Sequence, residues 1–459
     1  MIPLAPLLAG ALAAAPARVD SAGFGPVSVH APPGPPSRVV LLLSGAGGVD
    51  AAAAEAASAL AARGALVVAI DTPAYLAARP AGRCVYPAGD LEELAQRIQK
   101  LRGVASYQRP VLVGHSRGAA LAWAAVSNAP SGTFLGAVAA APCPGRPLPV
   151  KLCAHGAPPR ALEGGTLPPL APPPAPVEVV AAAQDAICPA AAAAELARAL
   201  AARLTTVQGA GHALSPPLVG AIADAVARLA PASPPPAPAS AARAAAPAVP
   251  LGGLPVVEVP STRPGRRIAL LVTGDGGWVG ADRALAAALA DGGVSVVALD
   301  ALRYFWQRRT PQETVRDAAR ILAHYRAAWG RDETVLVGYS RGADVVPILA
   351  ALLPADERAR LVLVAMLGPS TFAELEVHAV DLFASRRRAG AIPTEPAVRA
   401  TAGAVRMLCF HGEDEKGSLC PKLADLPWVT VRLHAGGHRL GGGETSEMAR
   451  EILSAMEAR

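Results

Sequence analysis

Two pentapeptides of the form Gly-x-Ser-x-Gly hold the residues best suited to chemistry: Gly114-His115-Ser116-Arg117-Gly118 and Gly338-Tyr339-Ser340-Arg341-Gly342, 224 residues apart. A serine hydroxyl is a weak nucleophile near neutral pH and needs a general base beside it. Each pentapeptide follows a short apolar run, Val111-Leu112-Val113 or Val335-Leu336-Val337, so each serine should occupy a sharp strand-to-helix turn that exposes its hydroxyl. Downstream, an acid and then a histidine follow in the same order: Asp185 and His212 after Ser116, Asp414 and His438 after Ser340.

Nucleophile, acid and histidine in that chain order form the triad layout of α/β-hydrolases. His438 would take the proton of Ser340 and return it to the leaving group, with the acid fixing the imidazole tautomer and stabilising its charged form. Asp414 is flanked by Glu413 and Glu415. The match to Asp185 favours Asp414, while a one-residue gap would bring Glu415 into register. The developing oxyanion needs two preorganised donors. They are expected from the backbone N–H groups of Arg341 and of Asp275 in the loop Gly274-Asp275-Gly276-Gly277, with Arg117 and Ala46 as the equivalents in the first copy. The rival reading of these glycine-rich loops, a phosphate cradle, lacks both G-x-x-x-x-G-K-[ST] and G-x-G-x-x-G. Asp344, one helical turn beyond Ser340, either acts through the helix dipole or meets a cationic substrate group. Trp278 either lines an acyl pocket or packs.

Other features recur with the serines. Leu42–Gly48 matches Leu271–Gly277, Asp71 matches Asp300, Asp185 matches Asp414 and Gly211-His212 matches Gly437-His438, at offsets of 226 to 229 residues. Five features in one order at nearly constant offset indicate duplication. The expected organisation is a signal segment at 1–17, an N-terminal hydrolase-like domain at 36–230, a linker at 231–250 of almost pure Pro, Ala and Ser, and a C-terminal domain at 251–459. Each copy, roughly 195 residues long, is large enough for its own core.

The elements that must position these groups are near-continuous apolar runs alternating with helical stretches. In the first copy strands are expected near 39–43, 66–70, 111–113, 134–139, 177–182 and 204–207. In the second they fall near 268–273, 294–299, 334–337, 361–365, 405–410 and 429–433. Runs of this kind suit strands covered on both faces, giving two tandem α/β domains with doubly wound, mostly parallel sheets. The Pro-rich stretch 142–176 is expected to be a loop or lid. Ligands bind at the carboxyl ends of such strands, where all the candidate residues fall.

Composition narrows the class. The chain is 52% apolar but only 4% aromatic, and no stretch has the bulky apolar content of a spanning helix, so no integral membrane protein is expected. The start, Met1 to Ala17, has the apolar region and small-residue cleavage site of an export signal without its basic region. A net charge of +6 is spread without a basic run or basic-aromatic stripe, which argues against nucleic acid. Of six cysteines, Cys84, Cys143, Cys153 and Cys188 lie in the first copy and Cys409 and Cys420 in the second. With export, this permits one or two disulfides in the first copy and Cys409 to Cys420 in the second; reduced thiols are the alternative. No spacing suits zinc, and neither metal nor cofactor is expected.

At Val337-Gly338-Tyr339-Ser340-Arg341-Gly342-Ala343-Asp344-Val345-Val346-Pro347, together with Thr273-Gly274-Asp275-Gly276-Gly277-Trp278, the chain resembles the bacterial VirJ/AcvB virulence-protein family. The duplicated layout resembles its longer AcvB-type members. The resemblance implies a periplasmic α/β-hydrolase acting on an aminoacylated phospholipid at the membrane surface, of the lysyl-phosphatidylglycerol type, with Ser340 as nucleophile. Arg341 departs from the family, which commonly has Phe there, and a cation at that point would disfavour a lysyl group. The competing readings are a binding or chaperone-like periplasmic protein with relic triads, and an esterase or thioesterase of unrelated substrate.

Overall fold

The computed structural model describes residues 16–21, 23–79, 83–153, 162, 167–168, 171–229, 251–378, 390–438 and 442–457. The linker at 231–250 and all but the last two residues of the expected signal segment lie outside them, as does much of the expected loop or lid between 154 and 170. The chain forms two compact units, chiefly Met1–Ala232 and Ser233–Arg459.

The first unit is an eight-stranded sheet: β1 (Ala17–Ser21), β2 (Gly25–His30), β3 (Arg38–Leu43), β4 (Ala65–Ile70), β5 (Val111–His115), β6 (Gly136–Ala140), β7 (Val177–Ala182) and β8 (Arg203–Val207), in the order β1-β2-β4-β3-β5-β6-β7-β8. The second contains β9 (Val256–Val259), β10 (Arg267–Val272), β11 (Ser295–Leu299), β12 (Glu333–Tyr339), β13 (Leu361–Leu367), β16 (Met407–Gly412) and β17 (Val429–His434), in the order β9-β11-β10-β12-β13-β16-β17. A separate two-stranded ribbon joins β14 (Phe372–Ala373) to β15 (Ile392–Pro393). Without β1, the two large sheets have the same strand order. In each, only the leading strands pair antiparallel.

The central strands are buried throughout because their sequences are unbroken Val, Leu, Ile and Ala. β4 (ALVVAI) is buried at all six positions, and helices cover both faces of each sheet. The strands β1, β2 and β9 were not expected, and β1 and β2 extend the first sheet ahead of the boundary drawn at 36. They carry mixed polar and apolar residues, with burial that alternates or stays partial, so they lack the continuous apolar run that marks a doubly covered strand. Helix ends are set by local chemistry. The helix Pro311–Trp329 opens on a capping box between Thr310 and Glu313, with Pro at its first turn, and ends at Gly330 in the left-handed region. Three disulfides, Cys84–Cys153, Cys143–Cys188 and Cys409–Cys420, use all six cysteines.

The feature that positions the chemistry is the turn after β5 and after β12. At Gly338 β12 meets the helix Arg341–Leu352, and at Gly342 that helix meets the end of β10, so closely that an added Cβ would lie 2.2 Å from Gly342 O and 1.9 Å from Val272 O respectively. Both neighbours are backbone, so neither can move aside cheaply. Gly342→Ala should therefore destabilise the C-terminal unit by about 4 kcal/mol or more, in the range reserved for severe local strain. Thermal or denaturant unfolding of the variant against wild type measures it.

Candidate active site

Both serines occupy backbone that few non-glycine residues adopt: φ 54°, ψ −114° at Ser116 and φ 52°, ψ −118° at Ser340. This geometry lifts the hydroxyl from the end of the strand and points the next helix's first N–H toward it. In the N-terminal unit, His212 Nε2 lies 3.0 Å from Ser116 Oγ, and its Nδ1 lies 2.7 Å from Asp185 Oδ2. The other carboxylate oxygen, Oδ1, accepts the N–H groups of Ile187 and Cys188 at 2.9 and 2.8 Å. Burial alone would raise the Asp185 carboxyl, but these donors and His212 together hold it below its ordinary value.

In the C-terminal unit, His438 Nε2 lies 2.8 Å from Ser340 Oγ, while its Nδ1 meets Glu415 Oε1 at 2.5 Å. Glu415, not Asp414, is the acid, which corrects the choice made from spacing. The turns explain the substitution. Asp185 N–H bonds Ala182 O, and Glu415 N–H bonds Gly412 O; Gln184 N–H bonds Ala210 O, and Asp414 N–H bonds Gly436 O. Asp414 is thus the structural counterpart of Gln184, and it is exposed. The longer Glu side chain spans to the histidine while its Oε2 accepts Gly412 N–H at 3.1 Å. Burial pushes Glu415 up, yet the hydrogen bond and charge of His438 outweigh it and hold the carboxyl low. The same hydrogen bond, against the effect of burial, raises His438 above its ordinary 6.5.

The oxyanion donors are arranged alike in both units. Arg117 and Arg341 begin their helices, so their N–H groups have no intrahelical acceptor. The glycine loops cross directly above the nucleophiles. A Cβ on Gly45 would lie 3.5 Å from Ser116 Cβ, and one on Gly274 would lie 3.4 Å from Ser340 Cβ. Ala46 and Asp275 follow those glycines. Ser44 and Thr273 anchor the loops by accepting the N–H of Thr72 and Ala301 at the ends of the neighbouring strands.

Two further assignments are corrected. Asp344 is buried beneath the site and accepts both the N–H and the hydroxyl of Ser370, at 2.6 and 2.9 Å, so it does not face a substrate. Burial pushes its carboxyl up to about 8, the Ser370 bonds only partly opposing this. Trp278 is buried in the core cluster that includes Leu285, Leu289 and Phe410, which is the packing role of its two alternatives. The Arg341 guanidinium is also not a free cation. It pairs with Asp275 and donates to the carbonyls of Glu374 and Glu376.

One pair of positioning residues was missed. The residue before each nucleophile bonds the backbone carbonyl of the catalytic histidine: His115 Nε2 to His212 O at 2.7 Å, and Tyr339 hydroxyl to His438 O at 3.2 Å. Their shared place in both pentapeptides was the available signal. For a metal, Cys143, Cys188 and His212 offer atoms within 4.8 Å of one another, but the two sulfurs are joined in a disulfide and present no thiolate.

Residues 266–459 match the family model of bacterial virulence protein (VirJ), and residues 89–216 match that of serine hydrolases. No curated protein matches. Solved structures similar to the chain include Est1E from Butyrivibrio proteoclasticus (14% identity, 47% of this chain and 99% of that one, TM-score 0.33). Others are XC6422 from Xanthomonas campestris, an α/β serine hydrolase without lid (20%, 51% and 100%, 0.32), and a serine hydrolase homologue from Coxiella burnetii (16%, 48% and 99%, 0.33). Each module thus has the mostly parallel sheet of the α/β-hydrolase fold and a serine–histidine–acid triad, and the serine-hydrolase match falls on the N-terminal one.

Glu415→Gln should lower kcat at the C-terminal site about 10³-fold by losing the tautomer-fixing acceptor, whereas Asp414→Asn should change it less than about threefold. His438 must be neutral to accept the serine proton, so its raised pKa moves the acidic limb of kcat/KM above pH 6.5, and Glu415→Gln moves that limb down. Asp344 has a folded pKa above its unfolded one, so its contribution to stability is present at low pH and is lost as pH rises from about 4 to about 8. The melting temperature of Asp344→Asn relative to wild type should accordingly rise between pH 5 and 9.

Proposed function

We propose, from the membership of the C-terminal module in the bacterial virulence protein (VirJ) family, that this module hydrolyses the aminoacyl ester of aminoacylated phosphatidylglycerol. The observation that carries the reading is a Ser340–His438–Glu415 triad with further carboxylates around it. Glu413 and Asp414 lie exposed on the acid's own turn, while Asp275, on the glycine loop above the nucleophile, is taken up by Arg341. An aminoacyl ester bears an ammonium near the scissile carbonyl, and anions at that range favour it. Pairing of Arg341 with Asp275 removes the objection that a cation beside the nucleophile would repel a lysyl group.

In this reading Ser340 Oγ attacks the aminoacyl carbonyl as His438 takes its proton, and the N–H groups of Arg341 and Asp275 receive the oxyanion. His438 then protonates the departing glycerol oxygen. Water, deprotonated by His438, releases the amino acid from the serine. We place the reaction at the periplasmic membrane surface, on the strength of the family and of an apolar, small-residue start at Met1–Ala17. Among the described residues no helix is long and apolar enough to cross a membrane.

The test is lipid analysis. Purified protein should release amino acid from vesicles containing lysyl-phosphatidylglycerol, and Ser340→Ala should reduce the rate at least about 10³-fold. Unchanged aminoacyl-phosphatidylglycerol in a deletion strain would sink the lipid assignment and leave an esterase of other substrate.

A further inference from the structure

We propose that the N-terminal module is a second working esterase site with the opposite charge preference, taking acyl esters that carry an anionic group and disfavouring cationic ones. The inference is independent of the lipid assigned to the C-terminal site.

The duplication supplies the comparison. The N-terminal triad is complete, with its acid held by two backbone donors and its oxyanion loop over the nucleophile. What differs is the shell of charge. Where the C-terminal site has Asp275 on the glycine loop, the N-terminal site has Ala46. Asp344 one turn along the nucleophile helix is replaced by Ala120. Glu413 and Asp414 on the acid's turn correspond, by their hydrogen bonds, to Ala183 and Gln184. Of these four carboxyl positions, Glu413 and Asp414 present exposed carboxylates at the C-terminal site, whereas Asp275 pairs with Arg341 and Asp344 is buried on Ser370; the N-terminal site has a carboxyl at none of the four.

The arginine after the nucleophile is common to both, and its state changes as a result. Arg341 is largely buried, paired with Asp275 and tied to two carbonyls. Arg117 begins its helix at the same point but is exposed, and among the described residues it has no carboxylate partner because Ala46 stands where the partner would be. Its stem starts from the same backbone position as that of Arg341, whose guanidinium reaches across to the glycine loop. Asp50, the nearest carboxylate along the N-terminal loop, has its Oδ1 committed to capping a helix at Ala53 N–H. The neighbouring surface adds apolar area through Ile187, which is 53% exposed. An exposed guanidinium on the residue that supplies the oxyanion N–H, with no carboxylate partner among the described residues, attracts an anion on the substrate and repels an ammonium.

The chemistry balances as ordinary acyl transfer. Ser116 Oγ bonds the acyl carbon while His212 takes its proton, and the alcohol leaves with that proton. Water then attacks the acyl-serine and gives a proton to His212. Ser116 recovers that proton as the carboxylic acid departs.

The experiment uses full-length Ser340→Ala protein, in which only Ser116 can react, and three 4-nitrophenyl esters of one chain length: the adipate monoester, hexanoate and 6-aminohexanoate. Attraction to one ester combined with repulsion of another should give about a tenfold higher kcat/KM for the adipate monoester than for 6-aminohexanoate. Arg117→Gln, or Ala46→Asp to supply the missing partner, should bring that ratio below about threefold. The idea is overturned if folded Ser340→Ala protein hydrolyses none of the esters, if it prefers 6-aminohexanoate, or if the ratio survives both substitutions. The C-terminal lipid reading stands or falls separately, in Ser116→Ala protein.

Discussion

A serine held at positive φ between a buried strand and a buried helix is the constraint on which both modules depend. An L-residue there is strained, by about 1–3 kcal/mol, and persists only when its surroundings over-determine it. The surroundings are the packed β5 or β12 and the helix that follows, joined by glycines whose missing Cβ atoms let backbone meet backbone. The strain does two things at once. It exposes the hydroxyl at the carboxyl end of the sheet, and it aligns the helix's first N–H for the oxyanion. Every other site residue is placed relative to that turn.

The histidine is set by three contacts that recur in both modules: its hydrogen bond to the serine, its hydrogen bond to an acid, and a clamp on its backbone carbonyl from the residue preceding the nucleophile. The acid differs, Asp in one copy and Glu in the other, yet the turn that carries it has the same backbone hydrogen bonds. Duplicated modules have kept the catalytic geometry while changing the charge around it. Divergence of this kind alters which substrate is favoured without disturbing how the acyl group is transferred.

Much of this was legible in the sequence. The central strands are unbroken apolar runs, the nucleophiles sit in a motif whose glycines are sterically required, and the order of serine, acid and histidine repeats. What escaped was what depends on partners distant in sequence. The edge strands β1, β2 and β9 have no distinctive run because only part of their surface is covered. Glu415 was obscured because a constant offset pointed at Asp414, and only the hydrogen bonds of the turn fix the register. Asp344 and Trp278 have functional-looking neighbours, but the first is satisfied by Ser370 and the second is buried against Leu285, facts that spacing cannot contain.

The central claim is that both elbows are chemically competent. Treatment of the folded full-length protein with a fluorophosphonate, followed by mass spectrometric mapping of the modified peptides, tests it most directly. The account predicts adducts on Ser340 and on Ser116, each abolished by substituting its own histidine. Folded protein in which one of the two serines stays unmodified would contradict it.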